Sequence, residues 1–207
     1  AGNQIGGSRQ LDGVDIEMAP GDCEAFDLTD FKSGRIWGQT GCEDGTCHPG
    51  PHTLAEFTTD HGGLDWYNLS HVDGANLPMG LYLVEGTFAP QTNVMCECQN
   101  RECRIDLKNT TCVEEQRLTD ESGEVYACTS RCAITPDDDP NKDLYCCRGH
   151  YAANPLECTI PPGQHESFRY PCPQVYSYPY DEPHEVDGEY ALCTCNSDPD
   201  YDIIFCP

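Results

Sequence analysis

The chain has 207 residues, with 36 acidic side chains against 11 lysines and arginines and a formal net charge of −25. This balance argues against nucleic acid as a partner, because phosphate binding needs clustered Lys and Arg. The longest apolar runs fall well short of the ~18 residues that a membrane helix needs, so no membrane span is expected.

The pattern of apolar residues predicts a mainly β chain. Glycine and proline are frequent, at 19 and 16 residues, and they break the apolar runs into short pieces. In chain order, alternating apolar and polar residues predict strands at 14–18, 34–40, 53–57 and 66–72.

The fourth strand carries the polar residues of most interest. Residues of equal parity share a face, so Asn68 and Ser70 are expected to point the same way, beside Glu56 of the preceding strand. Asp73 follows in a turn with Gly74. The pattern predicts a short row of polar groups on one face of the sheet.

Sixteen cysteines spread through the chain indicate an oxidising compartment, and we expect a secreted protein. Zinc is the weaker interpretation, because no repeated Cys-x-x-Cys pair or His pair accompanies them. No metal and no cofactor are expected. The short spacing of Cys42 and Cys47 suits a local disulfide. Two Cys-x-Cys segments, at 96–98 and 193–195, suit two parallel bridges, because their cysteines share a face.

Several segments, in this order, resemble thaumatin-like proteins, the family that includes osmotin and pathogenesis-related proteins. They are GRIW from Gly34, TLAEF from Thr53, VDGANLPM from Val72, YCC from Tyr145, YSYP from Tyr176 and IIFCP at the end. The resemblance implies a flattened antiparallel β-sandwich of ten to eleven strands, a disulfide-rich lobe with a short helix, and an acidic cleft between them. Residues 1–104 and 173–207 would form the sandwich, with a shortened cysteine loop at 42–54, and residues 105–172 the lobe.

The resemblance also implies the remaining disulfides. The amino-terminal strand of the family, with its Asn-x-Cys element, is absent before Gly6, which leaves Cys23 as the partner of Cys206. The other pairs implied are Cys103–Cys172, Cys112–Cys128, Cys132–Cys146 and Cys147–Cys158.

Thaumatin-like proteins place one Arg, one Glu and three Asp around the cleft, and the matching positions here are Arg35, Glu56, Asn68, Asp73 and Asp181. Glu56 would be the proton donor of a glycoside hydrolase and Asp73 the second carboxylate, while Arg35 would keep a carboxylate ionised. Arg35, Asn68 and Asp181 would line the substrate-binding cleft. The alternative is that these residues form an ion-pair network that only holds the cleft floor together.

Two sequons, at Asn68 and Asn109, are candidate glycosylation sites, and a glycan on Asn68 would obstruct a polymer substrate. The resemblance therefore implies a secreted protein that binds β-glucan-type polysaccharide in an acidic cleft, with at most weak endo-β-1,3-glucanase activity and a defence role. The alternative is a non-enzymatic structural or protein-interaction scaffold with a vestigial cleft, in which the missing first strand leaves an edge for a protein partner.

Overall fold

The computed structural model describes residues 3–4, 9–10, 15–29, 31–89, 96–181, 190–196 and 199–207. Its strands are β1 Asn3–Gln4, β2 Arg9–Gln10, β3 Asp22–Cys23, β4 Phe26–Asp27, β5 Gly34–Trp37, β6 Leu54–Thr58, β7 Asp65–Ser70, β8 Gly74–Ala75, β9 Met79–Leu83, β10 Arg101–Cys103, β11 Arg117–Thr119, β12 Val125–Thr129, β13 Cys193–Cys195 and β14 Tyr201–Phe205. The α-helices are one turn long: α1 Leu107–Thr110, α2 Arg131–Ile134, α3 Lys142–Tyr145 and α4 His150–Ala153. Single 3₁₀ turns at Glu114–Gln116 and Pro155–Glu157 and a π-helical turn at His165–Arg169 complete the description.

Three antiparallel sheets make up the architecture of the described residues. Their strand orders are β13-β7-β6-β5, β10-β9-β14 and β11-β12-β8. Two further pairs, β1-β3 and β2-β4, are parallel and only two residues long. The mainly β fold predicted from the sequence is confirmed, and so is a cysteine-rich segment with short helices.

Alternation along β6 and β7 creates the two-layer core. Ala55 and Phe57 of β6 and Tyr67 and Leu69 of β7 are buried on one face. This face packs against β14 of the three-stranded sheet, where the Tyr201 ring lies 5.1 Å from the Phe57 ring and 5.3 Å from the Tyr67 ring, centroid to centroid. The opposite face of the four-stranded sheet is left for polar groups, as the sequence predicted.

The cysteine-rich segment shares this core. Leu107 and Phe168 are buried in the same apolar cluster as Leu69 and Leu81. A buried amide pair adds polar contacts, because Gln116 Nε2 donates to Gln164 Oε1 over 2.6 Å and to the Thr129 carbonyl over 2.8 Å. Buried amides paired in this way hold a segment in one arrangement, since any other leaves them without partners.

Seven disulfides are present, and each agrees with the sequence expectation. The bridges join Cys42–Cys47, Cys96–Cys193, Cys98–Cys195, Cys103–Cys172, Cys112–Cys128, Cys132–Cys146 and Cys147–Cys158.

The expected Cys23–Cys206 bridge is wrong for this structure, in which both thiols are free and exposed. Cys23 lies in β3, whose only described partner is β1. Cys206 follows β14, and its amide donates to the Pro78 carbonyl over 2.9 Å. Each cysteine therefore lies in a different backbone pairing, and the two sulfurs are not bonded to each other.

The first predicted strand, at 14–18, is also wrong. Val14 lies outside the described residues, and residues 15–19 belong to no strand. Most of them are exposed, so the alternation of apolar and polar residues does not correspond to a buried face. A turn follows, in which the Asp22 amide donates to the Ala19 carbonyl and the Asp22 carboxylate accepts from the Ala19 amide. Among the described helices, none has the length and apolarity to cross a membrane.

Candidate carbohydrate-binding cleft

Three polar residues form a row across the outer face of the four-stranded sheet. The strand register places Arg35 of β5 opposite Glu56 of β6, and Glu56 opposite Asn68 of β7. All three have outward parity, because their neighbours Ile36, Ala55 and Leu69 pack inward against the core. The sequence therefore predicted correctly that Asn68 lies beside Glu56.

Both oxygens of the Glu56 carboxylate are engaged within this row. Oε1 lies 3.1 Å from Arg35 Nε, and Oε2 accepts a hydrogen bond of 3.0 Å from Asn68 Nδ2. A guanidinium and an amide N–H are partners that suit an ionised carboxylate. The row therefore presents a fixed negative group flanked by two donors.

The row is part of the lining of a cavity of about 580 Å³. Trp66 and His61 also line this first cavity, together with Leu192, which precedes β13. His61 is exposed at the rim, in the hairpin between β6 and β7, and its amide donates to the Leu64 carbonyl over 2.8 Å. The floor is thus made by strands and the rim by a loop.

A second cavity of about 320 Å³ contains Asp73. Asp73 is exposed in the turn between β7 and β8, where its carbonyl accepts from the Ser130 amide over 3.0 Å. Trp37 and His52 line the same cavity. Arg35 lines both cavities, so the two adjoin at this residue, and the two predicted catalytic carboxylates line different cavities, Glu56 the first and Asp73 the second.

Asp181 does not lie open to the cleft. It is only 1% exposed, and its Oδ2 atom lies 3.0 Å from Arg169 Nη1 and accepts from the Ser177 amide over 2.8 Å. Arg169 is equally buried. A carboxylate enclosed in this way cannot touch a polysaccharide, so the interpretation of Asp181 as a substrate contact gives way to a structural ion pair. The segment that follows it, 182–189, lies outside the described residues.

The two sequons differ in accessibility. Asn68 is 7% exposed and its amide nitrogen is bonded to Glu56, so a glycan at this atom would break that bond and need space within the cavity. The structure therefore disfavours a glycan at Asn68. Asn109 lies exposed in α1, and glycosylation there stays a prediction.

Sequence reasoning missed the aromatic side chains of the site. Trp66 has the parity of Asn68, and Trp37 has the parity of Arg35, so the alternation rule already placed both on the outer face. The alternation rule could not find two further residues. His52 stacks on Trp37, and its pKa is lowered by burial. Arg169 pairs with Asp181 and is remote in sequence from the cleft. No cluster of three or more metal-ligating side chains was found among the described residues.

Known proteins resemble the chain over nearly its whole length. The model of the Thaumatin family matches residues 2–207. Pathogenesis-related protein 5 of Arabidopsis thaliana is 33% identical over an alignment of 227 positions, which covers 100% of this chain and 84% of that protein. Thaumatin-like protein 1b of Malus domestica is 33% identical, and the match covers 96% of this chain and 93% of that protein. A protein of Prunus avium named glucan endo-1,3-beta-glucosidase is 32% identical, and the match covers 96% of this chain and 81% of that protein. With the antiparallel sheets and seven disulfides, these matches show that the chain belongs to the thaumatin family.

Proposed function

We propose that this chain is a secreted protein that binds a β-glucan-type polysaccharide along the two adjoining cavities. The observation that carries the proposal is the Arg35–Glu56–Asn68 row on the floor of a 580 Å³ cavity. Charged and amide groups with fixed directions suit the hydroxyls of a neutral sugar, and two cavities that share Arg35 suit more than one sugar unit. The disulfides are consistent with an extracellular location, and the names of the pathogenesis-related relatives support a role in defence.

Hydrolysis is a secondary activity of the same cleft. The name of the Prunus avium relative supports it, as does the presence of Glu56 and Asp73 in adjoining cavities. Glu56 would give a proton to the glycosidic oxygen, and Asp73 would act as nucleophile or as the base that activates water. A general acid must deliver its proton to the substrate, however, and both Glu56 oxygens are already engaged, one by Arg35 and the other by Asn68. We therefore expect binding to exceed turnover, with at most weak endo-β-1,3-glucanase activity.

The test compares binding and cleavage in one series of proteins. Retention on insoluble β-1,3-glucan is measured beside release of reducing ends from the soluble polymer, with cellulose as the control matrix. We expect the parent protein to be retained on the β-1,3-glucan, and Glu56→Gln and Asp73→Asn to abolish any release of reducing ends. Equal retention on both matrices, or none on either, would refute the proposal.

An interaction scaffold is a second candidate, favoured by the edge of one sheet. Among the described strands, β14 is paired only with β9, and Ile204 of β14 is 43% exposed. An extended segment of another protein could add to this edge. If so, Ile204→Lys would abolish complex formation in size-exclusion chromatography and leave glucan retention unchanged.

A further inference from the structure

The second cavity has features that the catalytic interpretation of Asp73 does not use. At about 320 Å³ it lies at the small end of the ~300–1,000 Å³ range typical of ligand pockets, which suits a single ring-sized group. It adjoins the first cavity at Arg35, the residue that lines both.

Trp37 gives this cavity an open aromatic face. It is the last residue of β5 and is 44% exposed, which is unusual for a large apolar side chain beside a cavity. The His52 ring lies nearly parallel to it, with centroids 6.2 Å apart and planes 11° apart, and this stacking fixes the plane of the indole. The face of an aromatic ring is electron-rich and attracts the weakly positive C–H groups along the face of a pyranose.

The buried amide of Asn76 orients the imidazole of His52, which lines the cavity. Asn76 Oδ1 accepts from the Thr53 amide and its Nδ2 donates to the Gly38 carbonyl over 2.8 Å, which settles the orientation of the amide. The same Nδ2 lies 3.4 Å from His52 Nδ1, so Nδ1 is the acceptor and Nε2 carries the hydrogen.

Three hydrogen-bonding side chains, those of His52, Asp73 and Arg35, therefore line the cavity together with the Trp37 ring. A Cβ built on Gly50 would lie 3.5 Å from His52 Nε2, which places this donor at the wall that Gly50 lines. Asp73 supplies an acceptor and Arg35 a further donor. A donor, an acceptor and an apolar face are the groups that recognise a neutral sugar.

We infer that the second cavity is a subsite for one neutral pyranose unit of the bound chain, with Trp37 as its stacking platform and His52 and Asp73 as hydroxyl contacts. The inference rests on the proposed function, because the neighbouring unit of the same chain would occupy the first cavity. It assigns Trp37 and His52 to specificity for chain length, a role distinct from the chemistry at Glu56.

The two tryptophans of the chain allow each cavity to be observed separately, since Trp66 lines the first and Trp37 the second. In Trp66→Phe the remaining indole reports on the second cavity, and in Trp37→Phe on the first. The probes are β-1,3-linked glucose oligosaccharides of increasing length, titrated by fluorescence and by calorimetry. We expect the shortest binding oligosaccharide to change the fluorescence of one indole only and longer ones to change both.

Affinity must follow the same pattern. Trp37→Ala should lose about tenfold in affinity for the longer oligosaccharides, the size of one aromatic stacking contact. It should bind the shortest ones as the parent does, if these occupy the first cavity. Trp37→Phe, which keeps an aromatic face, should retain most of the affinity. Tyr170→Ala is the matched control, because Tyr170 is an aromatic residue that is 67% exposed and lines neither cavity.

The outcomes separate the two claims. No binding of any oligosaccharide by calorimetry overturns both. Binding that changes the fluorescence of Trp66, with Trp37 silent at every length and Trp37→Ala unimpaired, overturns the subsite and leaves the proposed function standing. Unfolding midpoints equal to that of the parent show that the variants are folded.

Discussion

Asn68 determines the surroundings of the Glu56 carboxylate. Its amide donates to Oε2 over 3.0 Å from the directly opposite position of the next strand. A carboxylate at this position would replace a donor with a second negative charge, and like charges in contact cannot both ionise without cost.

Asn68→Asp should therefore destabilise the protein at neutral pH. We expect a loss of about 1–3 kcal/mol, the cost of breaking a buried hydrogen bond and leaving two carboxylates in contact. The loss should be smaller in acid, at about pH 4, because a proton on either carboxyl group removes the repulsion. Urea unfolding at both pH values measures it, with Asn141→Asp as the exposed control. A loss independent of pH would contradict the contact.

Burial of His71, the residue that follows β7, makes the stability of the protein depend on pH. It is buried against Phe168, and its Nδ1 atom has no hydrogen-bond partner among the residues that the structure describes. Burial lowers the pKa of His71 from 6.5 to about 3. Between these values the unfolded chain binds a proton that the folded chain does not, so the stability present above pH 6.5 is lost as the pH falls towards 3.

His71→Leu should remove this part of the acid sensitivity. For one proton the free energy of unfolding changes by roughly 1.4 kcal/mol per pH unit. Between pH 6 and 4 we therefore expect the unfolding free energy of the parent to fall more steeply than that of the variant, by up to this slope. Both proteins share all other titrating groups, so the difference between their unfolding free energies isolates His71. Parallel curves would show that His71 does not stay neutral in the folded state.

At the scale of elements, the β8–β12 pairing fixes the turn that carries Asp73. Gly74 lies opposite Thr129 with φ +133°, and a Cβ at this position would lie 2.2 Å from the Cys128 carbonyl oxygen. Backbone cannot move aside as a flexible side chain can, so this contact requires glycine.

Gly74→Ala should cost about 3 kcal/mol or more, the sum of an unfavourable φ and a steric clash. Gly123→Ala is the control, because Gly123 has φ +86° with open space around it and should cost only about 1–2 kcal/mol. Denaturant midpoints of the two variants give the comparison. Equal losses would mean that φ alone accounts for both.

The elements also show how far sequence reasoning extends. The register of Glu56 with Asn68 was predictable, because alternation along two neighbouring strands leaves one way to bury the apolar residues. The burial of Asp181 was not, because its partner Arg169 lies in the cysteine-rich segment and only packing brings them together. The alternation at 14–18 misled, because it is a local pattern and no neighbouring layer covers it.

At the scale of the whole molecule, two bridges close almost the same loop. Cys96–Cys193 and Cys98–Cys195 each span 97 residues. Once one of them is closed, the other removes little further entropy from the unfolded chain. Their contributions to stability should therefore be far from additive.

Replacing either pair by alanine should cost about 1 kcal/mol, mainly through lost packing, whereas replacing both should cost about 5 kcal/mol as the loop opens. Removing Cys103–Cys172, which spans 69 residues and has no second bridge parallel to it, should cost about 4 kcal/mol and is the reference for a bridge without such a neighbour. Guanidinium unfolding of the three variants tests this. Additive losses for the two neighbouring pairs would contradict the entropic account.

The division of the cleft between strands and loops bears on how its ligand preference can change. Glu56 and its two partners are set by strand register, while the segment at 50–52 and the hairpin at 60–64 contribute lining residues from loops. Doubling the length of a surface loop costs only about 0.6 kcal/mol, whereas a one-residue slip in β6 would turn Glu56 into the core. Natural selection or engineering can therefore change these loops while the strands stay unchanged. We expect a different hairpin grafted at 60–64 to alter the binding preference proposed for the cleft and to leave the fold as it is.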